Sequence, residues 1–318
     1  MDLSVIICTY NRCESLRRTL QTCCDLVIPA GVTWELLVVD NNSTDHTKQV
    51  CEEFTGKLPI RYLFEQIPGK SNALNRAVRE GCGELLLFTD DDVSLDRLWL
   101  SELYKTASIH CDITFFGGKV LSRWEQPPPN WITDNLMWLS AYPRLDLGEC
   151  EKVMNTGQPG EHVIGANIAF RKEVYVAGYS YRTDIGPRGS DHSRMGRVGQ
   201  EEIDFQEALF RSGHKGLYVP SAVVFHHDPP HRMTERYIRK YYRCAGRSEA
   251  LCSPFQDRSH DWFGVPRYLW KGLLKHTLQY GIARPFGPSR VWLYAECRMS
   301  FCLGMILSYR DDRHRRRQ

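Results

Sequence analysis

Short apolar runs alternate with amphipathic segments through the first 90 residues of the chain. Four runs that are rich in leucine and β-branched residues predict buried strands: residues 3–9, 34–40, 60–65 and 84–89. Three segments between them have the apolar spacing of helices: residues 13–25, 44–54 and 69–81. Asn11 is the predicted N-cap of the first helix. Because strands and helices alternate with short connections, we expect an α/β fold with a mainly parallel sheet covered on both faces.

The rest of the chain has a less regular pattern. Strands are predicted at residues 115–121, 162–171 and 217–226, the second of them broken by a turn. Residues 179–200 hold several glycines among Arg, Asp and Ser, which favours an active-site loop. Residues 201–212 predict an amphipathic helix that Gly213 ends, and basic helices follow the last strand.

Three consecutive carboxylates, Asp90, Asp91 and Asp92, directly follow the fourth predicted strand. Carboxylates packed that closely repel one another and favour protonation unless a cation lies among them. Oxygen ligands at a strand end suit a hard divalent ion such as Mg²⁺ or Mn²⁺. A solvated acidic turn that caps the next helix is the alternative. Ligands of such sheets bind beyond the carboxyl ends of the strands, where Tyr10 and Asp40 also fall.

The composition narrows the class of protein. A chain of 318 residues, with 42% hydrophobic and 25% charged residues, can bury a full core, which excludes a disordered protein. The 12 cysteines are scattered without a CxxC pair, so we expect reduced thiols and no zinc site. Since Met1 leads into an apolar strand without a basic segment, we expect no signal peptide and a cytoplasmic protein.

Charge is distributed unevenly along the chain. Residues 226–318 hold 18 Lys and Arg against 8 Asp and Glu, whereas residues 1–225 hold 23 against 30. The net charge of the whole chain is only +3. This asymmetry predicts a catalytic body followed by a basic segment that meets an anionic partner.

Six short segments of the chain occur in the order and spacing of one enzyme family: residues 7–12 (ICTYNR), 38–45 (VVDNNSTD), 88–93 (FTDDDV), 165–171 (GANIAFR), 199–205 (GQEEIDF) and 220–226 (PSAVVFH). Together they resemble the family 2 glycosyltransferases of the GT-A fold. The resemblance implies a GT-A catalytic domain over residues 1–227, with a Rossmann-like mixed, mainly parallel sheet flanked by helices. Residues 228–318 are then a basic helical C-terminal extension.

The resemblance implies a site for a nucleotide-diphosphate sugar at the strand ends. Thr9 and Asp40 would hold the base and the ribose, and a helix or turn cap is the alternative role for Asp40. Arg12 and Lys70 would meet the diphosphate, and a solvated surface position is the alternative for both. The other candidates for donor binding are Tyr10, Asn11, Asn42, Asn75, Asp90, Asp91 and Asn167.

Asp90 and Asp92 match the acid-any-acid metal motif of the family, and Asp91 occupies its variable position. Asp92 is the predicted direct ligand of Mg²⁺ or Mn²⁺. The family often supplies a further ligand or phosphate contact from a histidine after the last strand of the sheet, and His226 occupies that place. His227 is the alternative ligand, and a purely structural histidine is another interpretation.

An acidic pair opens the helix predicted at residues 201–212. In the family the second member of this pair deprotonates the acceptor hydroxyl, and the usual pair is Glu-Asp. Here the pair is Glu201-Glu202, so Glu202 is the predicted base, with Glu201 and Asp204 as further candidates. A partly desolvated carboxylate has a raised pKa, which suits proton abstraction. The alternative is an ordinary acidic first turn that the helix dipole favours.

The basic C-terminal segment has several interpretations. Residues 231–247 are basic and aromatic, and similar family members have a helix here on the acceptor or diphosphate side. No groove-reading motif accompanies them, so we expect no nucleic-acid partner. Residues 291–309 are apolar but interrupted by Glu296 and Arg298, and their clean stretch is too short to span a bilayer. With nearby tryptophans and the basic tail at residues 313–317, they fit a peripheral helix on the anionic inner membrane face, and a structural helical lid is the alternative.

The resemblance therefore implies an inverting glycosyltransferase whose donor is a nucleotide-diphosphate sugar, with uridine as the expected nucleoside. Its acceptor would be a hydroxyl of a saccharide or a lipid-linked saccharide in cell-surface polysaccharide or glycolipid assembly. A sugar nucleotidyltransferase is one alternative, but residues 8–12 lack its Gly-rich signature with Arg or Lys. A non-catalytic carbohydrate-binding or scaffold protein is another, against which Asp90, Asp92 and Glu202 argue.

Overall fold

The computed structural model describes residues 1–134, 136–157, 161–186, 200–252, 261–287 and 289–315. These residues divide into two units that do not follow a single cut in the chain. The first unit comprises Met1–Arg123, Tyr142–Asp184 and Glu201–Asp228. The second comprises the described residues of Trp124–Ala141, Ile185–Gln200 and Pro229–Gln318. The predicted boundary after residue 227 lies next to the last cut, whereas the two earlier segments of the second unit were not expected.

The strands are numbered in chain order. Nine of them belong to one sheet: β1 (Leu3–Thr9), β2 (Trp34–Asp40), β3 (Ile60–Phe64), β4 (Leu85–Thr89), β5 (Val93–Leu95), β6 (Phe115–Trp124), β7 (Lys152–Met154), β8 (Ile168–Arg171) and β9 (Gly216–Asp228). A hairpin in the second unit consists of β10 (Asp261–Trp262) and β11 (Val265–Pro266).

The helices are also numbered in chain order: α1 (Cys13–Cys23), α2 (Thr47–Glu53), α3 (Lys70–Glu80), α4 (Trp99–Ile109), α5 (Asn130–Thr133), α6 (Leu136–Leu139), α7 (Glu173–Val176), α8 (Glu201–Arg211), α9 (Glu235–Cys252), α10 (Arg267–Phe286) and α11 (Ser289–Arg315). Short 3₁₀ turns at Gly165–Asn167 and Pro230–Arg232 precede β8 and α9.

The sheet is mixed, with the strand order β3-β2-β1-β4-β8-β6-β9-β5 and with β7 paired to β9. The pairs β3-β2, β2-β1 and β1-β4 are parallel, whereas β8, β5 and β7 join their neighbours antiparallel. Thr9 pairs with Asp40, and Ile7 pairs with Thr89. The carboxyl ends of β1, β2 and β4 therefore lie at one edge of the sheet. This arrangement confirms the expected fold class.

The sheet buries side chains on both of its faces, as strands between two layers of helices must. In β4, Leu85 and Leu87 belong to one cluster of buried apolar residues, and Leu86 and Phe88 belong to the other. Residues of α1, α2 and α4 complete the first cluster, and residues of α3 and α8 complete the second. Burial on both faces explains why these strands appear in the sequence as continuous apolar runs.

Two local predictions were wrong, and α4, α5, α6, α7, β5 and β7 were not predicted. Residues 162–164 form no strand, because the backbone N–H and C=O of Val163 bond to the side-chain amide of Gln206 at 2.9 and 3.0 Å. Asn11 does not cap α1, since the N–H of Cys13 donates to Asp45 Oδ2 at 2.9 Å instead.

In the second unit, α11 packs against both α9 and α10. Two glycines let α9 and α11 approach closely. A Cβ at Gly246 would lie 2.1 Å from the carbonyl oxygen of Phe301, and one at Gly304 would lie 2.1 Å from that of Arg243. None of the described helices combines the length and the apolar character that crossing a bilayer requires.

Asn167 joins three elements inside the first unit. Its side chain is fully buried, and Oδ1 accepts a hydrogen bond from the Trp99 indole N–H at 2.7 Å. Nδ2 donates to the carbonyl oxygens of Lys119 at 3.0 Å and Ala222 at 2.8 Å. A Cβ at Gly118 would lie 2.3 Å from this Nδ2, so only glycine leaves room for the amide. Asn167 thus connects α4, β6 and β9 through polar contacts in an otherwise apolar core.

We expect Asn167→Ala to lower the free energy of unfolding by roughly 2–4 kcal/mol, because it deprives a buried indole N–H and two carbonyls of their partner. Urea denaturation monitored by circular dichroism measures the change. Gln49→Ala, which removes an amide from an exposed position of α2, is the matched control and should shift the midpoint little. Equal midpoints for Asn167→Ala and the wild type would contradict this role.

Candidate active site

Asp91 anchors the loop that follows β4. Its side chain is buried, Oδ2 accepts a hydrogen bond from the Thr9 hydroxyl at 2.7 Å, and Oδ1 accepts one from Arg12 Nη1 at 2.9 Å. The same Arg12 nitrogen donates to Asp92 Oδ2 at 3.1 Å. Burial raises the pKa of Asp91, and although the charge of Arg12 lowers it, the net shift is upward. Through Asp91, the loop that also carries Asp90 and Asp92 is bonded to Thr9 and Arg12.

Asp90, Asp92 and His226 form a candidate metal site. Each offers one ligand atom, and these atoms lie within 4.8 Å of one another. His226 reaches the aspartates because β9 runs antiparallel to β5, which pairs His226 with Val93. His226 Nε2 lies 3.2 Å from Asp92 Oδ1, and Nδ1 lies 3.2 Å from Asp228 Oδ1.

The surroundings of His226 fit a metal ligand. Burial alone lowers the pKa of the imidazole, but Asp92 and Asp228 outweigh burial and raise this pKa to about 9, so a metal ion bound by His226 would have to displace its proton. Asp228 is fully buried, and a carboxylate behind a ligating imidazole is the common way to orient a histidine on a metal. Two carboxylates and one imidazole are a donor set that suits a divalent ion such as Mg²⁺ or Mn²⁺.

His227 has a different environment from that of His226, since successive residues of a strand point to opposite faces. His227 Nε2 lies 2.8 Å from Ser94 Oγ. Its backbone N–H donates to the carbonyl oxygen of Asp92 at 2.9 Å, so it meets the aspartate loop through the main chain. Of the two histidines, the geometry favours His226 as a ligand.

Lys70, the first residue of α3, links the aspartates to the acidic pair of α8. Its Nζ lies 3.1 Å from Asp90 Oδ1, 2.7 Å from Glu202 Oε1 and 3.7 Å from Glu201 Oε1. Burial alone lowers the pKa of Lys70, but the three carboxylates outweigh it and hold this pKa well above its ordinary value. The ammonium group therefore stays charged and joins acids that would otherwise repel one another.

The two glutamates that open α8 differ in their environment. The Glu201 side chain has no exposed surface, and among the described residues neither of its carboxylate oxygens has a hydrogen-bond partner. Burial, reinforced by the charge of Glu202, raises the pKa of Glu201 to about 8. Glu202 accepts the hydrogen bond from Lys70 and keeps 12% of its side chain exposed. Of the pair, only Glu202 offers accessible surface to an incoming molecule.

Gly165 leaves the space that Glu202 occupies. A Cβ at Gly165 would lie 2.2 Å from Glu202 Oε1 and 2.5 Å from its Cδ. Any side chain at this position would therefore push the carboxylate away from Lys70. The segment at residues 165–171 therefore contributes to the site through the space that Gly165 leaves. Asn167, a predicted donor-binding residue, lies in the core and not among the site residues.

Asn75 lies outside the cluster and positions a neighbouring segment. Its Nδ2 donates to the carbonyl oxygen of Tyr181 at 2.8 Å, and its Oδ1 accepts from the N–H of Tyr181 at 2.9 Å. The ring of Tyr181 stacks on that of Phe205 in α8, with 4.6 Å between the centroids. Asn75 therefore supports the helix that carries the glutamate pair.

Asp204 is also separate from the Lys70 cluster. It pairs with Arg182 at 3.1 Å, and Arg182 pairs in addition with Asp184 at 2.8 Å. These contacts turn Asp204 toward a cation of the loop that precedes α8. Most of the predicted active-site loop, at residues 187–199, lies outside the described residues.

Asp40 lies beside Thr9 at the sheet edge and is 2% exposed. Its Oδ1 accepts the N–H of Ser43 at 2.8 Å, and its Oδ2 accepts the hydroxyl of Tyr62 at 2.7 Å. These contacts show the turn-capping role that was the alternative for Asp40. Asp40 still lies at the carboxyl edge of the sheet, where the nucleotide-sugar donor is expected to bind.

The remaining donor candidates line the loops after β1 and β2. Asn11 and Asn42 have φ angles of 51° and 69°, in the left-handed region that Asn tolerates better than most residues. Asn11 Oδ1 accepts the N–H of Thr44 at 2.7 Å, which joins the two loops. Asn42 is exposed and Tyr10 is half-buried, so both have surface at this edge.

Sequence reasoning missed Asp228, Gly165 and Tyr62. Asp228 follows His226 by two residues in one strand, which places both on the same face, so strand periodicity was a usable signal for it. Gly165 opens the segment at residues 165–171, but its role of leaving space for Glu202 carries no sequence signal of its own. No sequence signal marks Tyr62, which acts by bonding to another side chain.

The chain is similar to one protein family and to several known proteins. The model of the family described as glycosyl transferase family 2 matches residues 4–178. Glycosyltransferase AglE of Haloferax volcanii is 33% identical over 259 residues, which cover 73% of this chain and 84% of that protein. The glucosyl-dolichyl phosphate glucuronosyltransferase of the same organism is 25% identical over 197 residues, 60% of this chain and 59% of its own length.

Solved structures show the same fold. The mannosyltransferase PcManGT from Pyrobaculum calidifontis, in complex with GDP-Man and Mn²⁺, matches with a TM-score of 0.63 and 16% identity. The match covers 97% of this chain and 87% of that one. At this level of identity the likeness establishes the architecture of the chain.

We expect the protein to bind Mn²⁺ through Asp92 and His226, because these groups and Asp90 converge within 4.8 Å. Isothermal titration calorimetry measures the affinity. Asp92→Asn and His226→Ala should weaken it by about 10-fold or more, since each removes a ligand. His227→Ala, a change of the neighbouring residue, is the control and should bind as the wild type does. Equal affinity in all four proteins would exclude this site.

Proposed function

Since the chain belongs to glycosyl transferase family 2, we propose that it transfers a sugar from a nucleotide-diphosphate sugar to a hydroxyl group with inversion at the anomeric carbon. The observation that carries this proposal is the continuous cluster from Asp92 through Asp90 and Lys70 to Glu202. It places a candidate metal site and a candidate base on either side of one cation. Such a pairing suits a reaction in which a diphosphate leaves while a hydroxyl attacks.

In this proposal the donor lies against the carboxyl edge of β1, β2 and β4. Thr9 and Asp40 form the floor of the base and ribose site, with Tyr10, Asn11 and Asn42 at its rim. Arg12 is held by Asp91 and Asp92 at 2.9 and 3.1 Å, which fixes its charge near the expected diphosphate. Parallel sheets bind nucleotides at this edge, which supports the placement.

The metal would be held by Asp90, Asp92 and His226. When bound there, a divalent ion supplies positive charge to the oxygens of the leaving diphosphate. Arg12 and Lys70 add charge from the protein itself, from the loop after β1 and from the start of α3. PcManGT, which shares the fold, was solved in complex with both GDP-Man and Mn²⁺, and this supports a divalent ion for the present chain as well.

Glu202 is the proposed base. It takes the proton of the acceptor hydroxyl while the acceptor oxygen forms a bond to the anomeric carbon. The bond between that carbon and the diphosphate oxygen breaks on the opposite side, and the nucleoside diphosphate leaves with the electron pair. Burial raises the pKa of Glu201 to about 8, which favours the protonated form of this carboxyl near neutral pH.

The proposed acceptor is a saccharide or a lipid-linked saccharide, in cell-surface polysaccharide or glycolipid assembly. The name of one relative states that it acts on glucosyl-dolichyl phosphate, a lipid-linked sugar. Another relative is the succinoglycan biosynthesis protein ExoM of Rhizobium meliloti. Both names support an acceptor of this class.

We expect Glu202→Gln to lower kcat by about 10²–10⁴-fold, the usual contribution of a general base, while the affinity for the nucleotide stays close to that of the wild type. Release of the nucleoside diphosphate with a donor and an acceptor measures the rate.

Asp204→Asn is the matched control for this loss, since it also removes an acid from the first turn of α8 and should retain the activity. Activity at the wild-type level in Glu202→Gln would exclude this base. If Glu201→Gln lost the activity and Glu202→Gln kept it, Glu201 would be the base instead.

Thermal unfolding with a panel of nucleotides, each with and without Mn²⁺, tests the donor. We expect a uridine diphosphate and its sugars to raise Tm in the presence of the metal, because a ligand at 100 times its Kd stabilises by about 2.7 kcal/mol. Asp92→Asn should lose the metal-dependent part of the shift. A response to guanosine nucleotides instead would correct the base, and no response to any of them would favour the scaffold alternative.

A further inference from the structure

Helix α10 has an apolar face that the described part of the chain leaves uncovered. Four side chains spaced four residues apart follow one side of it, and their exposed fractions are 62% for Leu274, 59% for Leu278, 73% for Ile282 and 92% for Phe286. The opposite side packs on α11, with Leu269 among the buried residues. A helix that is apolar on both sides is normally covered on both sides.

The charged residues of α10 itself have a single sign. Residues 262–295 contain five Lys and Arg and no Asp or Glu. Three of the cations, Arg267, Lys271 and Lys275, are exposed. At about 3.6 residues per turn they fall on the same side of α10 as Leu274 and Leu278. The face thus combines an apolar stripe with a cationic end.

The hairpin before α10 adds exposed aromatic rings beside this cationic end. Trp262 is 48% exposed and Phe263 is 84% exposed. Phe263 and Gly264 have φ angles of 56° and 76°, and the left-handed region is unfavourable for a bulky side chain such as that of Phe263. Arg267 of α10 lies over the ring of Trp262 at 5.3 Å, which joins the hairpin to the helix.

At its other end the apolar surface continues onto the start of α11. An open pocket of about 260 Å³ lies between Ile282 and Ala283 of α10 and Val291 and Tyr294 of α11. Val291 is 47% exposed and Tyr294 is 42% exposed. The uncovered apolar area therefore extends beyond a single row of side chains.

We propose that this face, defined by Leu274, Leu278, Ile282 and Phe286 with the cations of α10, binds the surface of an anionic lipid bilayer. The apolar stripe would enter the boundary between headgroups and acyl chains, and the cations would contact anionic headgroups. A second copy of the chain is a poorer occupant, because it would bring an equally cationic face against this one. Nucleic acid would leave the stripe uncovered.

The sequence left residues 291–309 open between a peripheral membrane helix and a structural helical lid. The face proposed here lies mainly on α10 instead, whereas Leu293, Met305 and Ile306 of α11 are buried. The proposal goes beyond sugar transfer, and its test needs no enzymatic activity.

Co-sedimentation of the full chain with vesicles tests the proposal. We expect binding to vesicles of equimolar phosphatidylcholine and phosphatidylglycerol and little binding to phosphatidylcholine alone. Each cation near an anionic surface strengthens binding about fivefold, so Lys271→Gln with Lys275→Gln should weaken it by roughly one order of magnitude or more. Leu278→Ser with Ile282→Ser should weaken binding at least as much, because these substitutions remove the stripe but not the charge.

The matched control carries Lys105→Gln with Val176→Ser, since Lys105 is exposed on α4 and Val176 is 79% exposed on α7. It should bind as the wild type does, and circular dichroism verifies that every variant is folded. Absence of wild-type binding to anionic vesicles overturns the proposal, as does equal binding by the wild type and both α10 variants. A dimer in analytical ultracentrifugation that Leu278→Ser with Ile282→Ser dissociates overturns it in favour of a second copy.

Discussion

The crowding of carboxylates at one edge of the sheet is the constraint on which the first unit depends. The three aspartates arrive from β4 and the two glutamates from α8, and each group is held by a cation from another element. Arg12 comes from the loop after β1, Lys70 from the start of α3 and His226 from the end of β9. Because like charges at such distances repel in a partly buried site, a shift of any one of these elements would separate a carboxylate from the group that offsets its charge. The positions of the site residues therefore depend on these ion pairs as well as on the packing of the apolar core.

Much of this arrangement could be predicted from the sequence because it depends on strand ends. The apolar runs locate β1, β2 and β4, and parallel pairing brings Thr9, Asp40 and the aspartates to one edge. The placing of Glu202 near that edge came from the motif order of the family, and that of Lys70 from its expected contact with the diphosphate, since no periodicity relates α3 to α8. The structure adds the contact of 2.7 Å that joins them.

The sequence could not predict the role of side chains that can bond either to a ligand at the surface or to backbone groups in the core. Asn75 and Asn167 were both candidates for donor binding, yet one bonds to the backbone of Tyr181 and the other to that of Lys119 and Ala222. An amide satisfies a ligand or a buried carbonyl equally well, so only the packing of distant segments decides. The strand expected at residues 162–164 failed for the same reason, because a glutamine side chain took the place of a neighbouring strand.

The burial of Asp91 has a consequence for how the sequence tolerates change. In the acid-any-acid pattern the middle position is free to vary, and a motif comparison would treat a substitution there as neutral. In this chain the middle residue is 4% exposed and bonds to both Thr9 and Arg12. A variant with an apolar residue at this position would leave the guanidinium of Arg12 with fewer partners and would remove the acceptor that Asp91 offers to the Thr9 hydroxyl. The middle position of the motif can therefore vary little in this chain. Its side chain depends on Thr9 and Arg12, which lie about eighty positions earlier.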